Sequence, residues 1–136
     1  MESRDFIVYV QIRPFCQQFL REMSKHYEVV IYTASLKQYA DPLMDILDPE
    51  RLCTSRLFRE HCTLHDSVYV KDLSMLGRHA KNVILIDNSP NSYKLQPQNA
   101  VPIKTWYEDP DDIELSALMP FLSKLAYVDD VRVVLA

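Results

Sequence analysis

Val83-Ile84-Leu85-Ile86-Asp87-Asn88-Ser89-Pro90 decides how the rest of the chain is read. Four consecutive apolar residues make a strand buried on both faces, as in the middle of a parallel sheet. The run stops at a carboxylate, a carboxamide, a hydroxyl and a proline. In open α/β sheets, ligands bind in the crevice beyond the carboxyl ends of such strands. An acidic group there can seat a hard cation, and oxygen donors suit magnesium. Asp87 and Asn88 equally suit an Asx turn ahead of Ser89-Pro90. Neighbouring segments have to separate turn from site.

A second buried strand, Tyr27 to Tyr32, also ends in small polar residues, Thr33-Ala34-Ser35. Phe6 to Ile12 is rich in β-formers and reads as a further strand. Arg13-Pro14 then opens a helix whose core face carries Phe15, Phe19, Leu20 and Met23. Leu36 to Leu47 is helical, restarted at Asp41-Pro42 and broken at Asp48-Pro49. Arg56 to Glu60, Cys62 to Leu64 and Val68 to Val70 are short strands, read as a small antiparallel insert. Lys71 follows the last of them, and Gly77 suits the residue just past a helical turn. Ala100 to Ile103 is another strand. Asp109-Pro110 caps a final helix with Ile113, Ala117, Phe121 and Leu125 on one face. Strands alternating with helices give a parallel-sheet α/β fold.

Bulk composition narrows the function. The 136 residues are 48% hydrophobic and 25% charged, which fits one soluble folded domain. A net charge of −4 argues against direct nucleic-acid binding as the main task. No apolar run approaches the ~20 residues that span a bilayer, so no membrane span is expected. Cys16, Cys53 and Cys62 show no paired spacing and read as reduced thiols of an intracellular protein. His61, Cys62 and His65 lie close in sequence but lack the fourth ligand of a zinc site. With Gly77 the only glycine, there is no Gly-rich phosphate loop. Any phosphate must be held by side chains and ordinary backbone amides.

A hydroxyl (Thr33), an ammonium (Lys71) and a carboxylate (Asp87) at one sheet edge suit a phosphoryl group and its metal. Each has a bland counterpart as helix cap, surface charge or turn former. The blocks Tyr32-Thr33-Ala34-Ser35, Leu57-Phe58-Arg59-Glu60, Tyr69-Val70-Lys71-Asp72-Leu73, Leu76-Gly77-Arg78 and Ile86-Asp87-Asn88-Ser89-Pro90 together carry a resemblance. In order and spacing they resemble the small carboxy-terminal-domain phosphatases. These form the NLI-interacting-factor-like branch of the haloacid-dehalogenase superfamily. The likeness runs from about Phe6 to the end.

The resemblance implies a haloacid-dehalogenase-like parallel sheet flanked by helices. It also implies dephosphorylation of phosphoserine or phosphothreonine with Mg²⁺ and an aspartyl-phosphate intermediate. Thr33 matches the hydroxyl that binds the transferred phosphoryl group, and Lys71 the lysine that neutralises it. Asn88 matches the magnesium ligand, and Asp87 its acidic neighbour, a ligand or a holder of metal-bound water. Tyr39 and Arg59 match residues that grip the phosphopeptide, and Ser35 is assigned to substrate binding with them. Arg59 could instead be a surface ion-pair partner of Glu60 or Asp66. The implied partner is a phosphorylated protein, such as a Ser-Pro-rich tail, and the implied location nuclear or cytoplasmic.

One element of the pattern is missing. The family opens with a buried strand ending Asp-x-Asp-x-Thr, which supplies the nucleophile and the general acid. Here Met1-Glu2-Ser3-Arg4-Asp5 leads straight into a later strand. Without a carboxylate nucleophile the displacement cannot proceed in two steps. A missing central strand would also leave its neighbours with unpaired backbone groups. Residues 1–136 are therefore expected to be one phosphatase-like domain truncated at its amino terminus and inactive as given. The alternative is a catalytically inactive relative that binds phosphopeptides or protein partners. Substrate identity and oligomeric state are not legible.

Overall fold

The computed structural model describes residues 11–135. Helix α1 (Cys16–Ser24) leads to strand β1 (Val30–Tyr32), helix α2 (Lys37–Leu47) and strand β2 (Ser55–Leu57). Strands β3 (Thr63–His65) and β4 (Val68–Val70) follow, then β5 (Leu85–Asp87) and β6 (Ala100–Pro102). Helices α3 (Glu114–Leu125) and α4 (Val131–Leu135) close the chain.

The strands form three two-stranded ladders. β1 and β2 are parallel, with Val30 opposite Ser55 and Tyr32 opposite Leu57. β5 and β6 are also parallel, with Leu85 opposite Ala100 and Asp87 opposite Pro102. A parallel pair needs a crossover connection, and α2 is that crossover between β1 and β2. β3 and β4 make an antiparallel hairpin, Thr63 opposite Val70 and His65 opposite Val68. The α/β class and the small antiparallel insert are thus present, but the insert is smaller than expected. Ser55–Leu57 belongs to the parallel ladder, and Arg59–His61 is a single 3₁₀ turn. Among the described residues, no strand bridges β1 and β5. Phe6–Val10, the core of the expected first strand, lies outside the described residues; Gln11 and Ile12 are not in a strand.

One core holds both parallel ladders. Met23 of α1, Val101 of β6, Leu122 and Leu125 of α3, and Val131 of α4 are buried together. Val29, just before β1, and Ile84 and Ile86 at β5 pack against them, and α1 packs on α3. Arg13 fixes the entry to α1 through a two-pronged pair with Asp112, 2.7 Å at Nε and 3.2 Å at Nη2.

Several local expectations need correction. α2 runs unbroken through Pro42, and Asp41 does not cap a new helix. Its carboxylate instead accepts from Arg56 Nη1 at 2.8 Å. α3 begins at Glu114, because Asp109 is spent on a turn with Asp111 and Asp112 on Arg13. Its packed face is Leu118, Leu122 and Leu125, while Ile113 and Phe121 are exposed. On α1, Leu20 and Met23 are buried and Phe19 packs against the core, but Phe15 precedes the helix in left-handed backbone and is exposed. Gly77 is left-handed past a helical turn, as expected. So are four non-glycine residues, Phe15, Arg51, Asp66 and Ser67. The last two form the β3–β4 turn, where positive φ at both central positions matches the strand twist. No described helix is long and apolar enough to cross a membrane.

Candidate active site

Two strand ends converge on one ammonium. β5 finishes at Asp87, whose Oδ2 accepts from Lys71 Nζ at 2.5 Å. The pair is buried, with Lys71 7% and Asp87 9% exposed. The same ammonium stands 5.8 Å from the centre of the Tyr32 ring, at the end of β1. Desolvating two charges costs several kcal/mol each, and only close pairing offsets it. Asp87 Oδ1 meanwhile accepts the Ser89 N–H at 2.9 Å. Turn and pairing therefore coexist: one oxygen shapes the loop, and the other holds the lysine.

β1 leads directly into the Thr33 loop. Thr33 N–H donates to Leu57 O at 3.0 Å, extending the ladder by one bond. Its Oγ1 accepts the Ser35 N–H at 3.0 Å, which leaves the hydroxyl proton free to donate. Ser35 O accepts from Arg59 N at 3.0 Å, and Arg59 Nε donates to Ala34 O at 2.8 Å. The Arg59 guanidinium also lies 5.2 Å from the centre of the Tyr69 ring, a cation–π contact. Arg59 is thus tied to the Thr33 loop and makes no ion pair with Glu60 or Asp66; Asp66 pairs with His65 and Lys94 instead.

The remaining assigned residues lie further out. Tyr39 is 69% exposed on the first turn of α2. Asn88 is exposed, and its Nδ2 donates to Thr105 Oγ1 at 3.1 Å, with no partner at its side-chain oxygen among the described residues. Among the described residues, no three His, Cys, Asp or Glu side chains come together as a metal cluster. His61 Nδ1 is engaged by the Phe58 N–H at 2.9 Å.

Two residues at the site are not among those the sequence singles out. Cys62 has its thiol 3.9 Å from Thr33 O. Burial pushes that thiol's pKa up, with Lys71 and Arg59 pulling it down and Asp87 adding to the rise. Tyr32 reaches the other way, its hydroxyl donating to His61 O. Burial pushes the phenol up to about 12, so it stays protonated and keeps that bond at neutral pH. The strand-end pattern could have singled out Tyr32, the residue before Thr33. Cys62 comes close only through the tertiary fold.

A cavity of about 450 Å³ lies elsewhere, lined by Lys37, Asp41, Asp45, Arg51, Arg56 and Phe58 among others. None of the assigned residues lines it.

The chain is an α/β protein with a buried lysine–aspartate pair where its strands end. More particularly, the chain belongs to the NLI interacting factor-like phosphatase family, whose model matches residues 1–132. It is 53% identical over 128 residues to the probable C-terminal domain small phosphatase of Dictyostelium discoideum, covering 94% of this chain and 42% of that protein. It is 50% identical over 118 residues to CTD small phosphatase-like protein 1 of Caenorhabditis elegans, covering 87% of this chain and 24% of that protein. With the human carboxy-terminal domain RNA polymerase II polypeptide A small phosphatase 1 the identity is 49% over 128 residues, 94% of this chain and 49% of that protein. The chain spans half or less of the length of these curated relatives.

Proposed function

We propose that these residues are the phosphate-binding part of a protein serine/threonine phosphatase domain that acts on phosphoserine or phosphothreonine. The observation that carries this reading is the Lys71–Asp87 pair, an ammonium kept out of water where two strands end. A buried lysine beside a single carboxylate has donors left for a third, anionic partner. Lys71 would neutralise a phosphoryl group, and Thr33 would donate its free hydroxyl proton to a phosphoryl oxygen. Arg59, fixed to the Thr33 loop, would hold the flanking peptide with Tyr39 and Ser35. A phosphorylated Ser-Pro-rich tail is the proposed partner, in the nucleus or cytoplasm.

Mg²⁺ is the proposed cofactor, held by Asp87 and Asn88. A carboxylate offers about four acceptor sites, and Asp87 uses one for Ser89 and one for Lys71. Among the described residues, Asn88 retains a free carbonyl oxygen, so the donor set suits a hard ion completed by water and phosphate. When bound, the ion would supply positive charge to the phosphoryl oxygens. The aspartyl-phosphate of the proposed reaction needs the Asp-x-Asp-x-Thr carboxylates, which these 136 residues do not contain.

A second reading is a pseudophosphatase that binds phosphopeptides or partners without turnover. Fluorescence anisotropy with a phosphoserine-proline peptide and its unphosphorylated twin tests what both share. Only the phosphorylated peptide should bind, and the isolated chain should release no phosphate from it. Equal binding of the two peptides would sink the phosphate site. Mg²⁺-dependent phosphate release, lost on Asp87→Ala, would show that the chain itself catalyses.

A further inference from the structure

Gln96 has no part in the chemistry proposed above, yet it grips the segment that carries Lys71. Leu73 N–H donates to its Oε1 at 3.1 Å, and its Nε2 donates to Asp72 Oδ1 at 2.8 Å. That Asp72 oxygen also accepts the Ser74 N–H at 3.0 Å and the Ser74 hydroxyl at 2.7 Å. Asp72 and Leu73, the two residues following Lys71, are therefore both fixed by one side chain from a distant loop.

Lys71 is held from its other side by a closed circuit. Its backbone N–H donates to Ser92 O at 2.9 Å, and Ser92 N–H donates to Ser89 O at 3.0 Å. Ser89 N–H donates to Asp87 Oδ1, and Asp87 Oδ2 takes the Lys71 ammonium. The circuit leaves Lys71 through its backbone and returns through its side chain. It fixes where the ammonium goes only if the backbone at 71–73 is itself fixed. A lysine side chain has a flexible four-carbon stem, so its own packing does not do this. Gln96 supplies the missing constraint from outside the circuit.

We propose that Gln96 is a positioning residue for Lys71. An amide is required because one atom must accept from Leu73 while the other donates to Asp72. A carboxylate of the same size accepts but cannot donate, and would face Asp72 with like charge. The proposal rests on the reading of Lys71 as the phosphate-neutralising group, and its test separates the two.

The variants are Gln96→Glu and the double variant Gln96→Glu with Asp72→Asn, which removes the like charge and lets the residue-72 amide donate to the residue-96 carboxylate, while giving up the Ser74 bonds to that atom. Two readouts are taken on the full chain. One is trace acetylation of each lysine amine by mass spectrometry, which reports Lys71 without any ligand. The other is anisotropy with the phosphoserine-proline peptide. In Gln96→Glu, Lys71 labelling should rise several-fold against Lys25 and Lys37, and peptide affinity should fall about tenfold. The double variant should return both to within about threefold of the parent chain.

Unchanged Lys71 labelling in Gln96→Glu would overturn the proposal. So would a double variant as impaired as the single one, or a rise shared by all lysines with a lowered melting temperature. If labelling follows the expected course but the parent chain binds no phosphopeptide, Gln96 still positions Lys71 and the phosphate reading fails alone.

Discussion

Two cations of this molecule sit among carboxylates, and they behave differently. Arg56 pairs with Asp41 at 2.8 Å and Asp45 at 2.9 Å on the wall of an open cavity. Among the described residues, Lys71 pairs with Asp87 alone, at 2.5 Å, and both are buried. Arg56 meets two carboxylates, and solvent reaches all three groups, so the pairing there is screened. At Lys71 one buried ammonium faces one buried carboxylate, and an arriving anion would find donors ready. A short ion pair is therefore a poor guide to function by itself; burial distinguishes the two regions.

The largest expected effect breaks the comparison at Lys71. Lys71→Glu should reduce phosphoserine-peptide affinity at least about a hundredfold, because it places like charge against both Asp87 and the phosphate. Retained affinity would move the phosphate site elsewhere. Next comes stability. Lys71→Met leaves Asp87 buried and unpaired and should cost about 3–5 kcal/mol in urea denaturation. The double change Lys71→Met with Asp87→Leu should recover most of that loss, since a buried pair is often replaceable by apolar residues. If single and double variants are equally unstable, the pair does not carry the effect.

Arg56→Ala should shift the urea midpoint no more than an exposed control substitution such as Arg78→Ala, because solvent-screened pairs contribute little. A loss like that of Lys71→Met would erase the contrast between the two regions. The smallest expected effect is electrostatic. The Ser74 hydroxyl and then the Gln96 amide hold the Asp72 carboxyl below its usual pKa, against some desolvation. Its contribution to stability is therefore present above the ordinary carboxylate pKa and lost as pH falls through the lower folded value. In Gln96→Leu, the Asp72 titration followed by carbon NMR should move upward toward the unperturbed value. An unmoved titration would show that Ser74 alone sets it.

Much of this was legible in the sequence where the signal is local. Asp87 and Thr33 stand out because apolar runs end at them, and Lys71 because it follows a third short strand. Those features depend on a continuous apolar run and an abrupt change to polar residues, which a single segment displays. Pairing is not local. Nothing in Ser55–Leu57 says that its partner is β1 rather than β3, since that depends on where α2 carries the chain. The face of α3 was misjudged for a related reason: residues at both i+3 and i+4 can be apolar, and only packing against α1 selects Leu118, Leu122 and Leu125. The grip of Gln96 on Asp72 joins loops 24 residues apart and leaves no trace in either one.

The scarcity of glycine has a consequence for the unfolded chain. Phe15, Arg51, Asp66 and Ser67 hold left-handed backbone that glycine would adopt without strain. Each costs roughly 1–2 kcal/mol relative to right-handed backbone. One glycine and eight prolines among 136 residues, however, also make a stiff random coil. Such a coil gives up less conformational entropy when it orders, and so strain carried in the native state is matched by freedom the denatured state never had. Ser67→Gly would relieve the hairpin and loosen the coil together, two changes of opposite sign that leave the melting temperature nearly where it was.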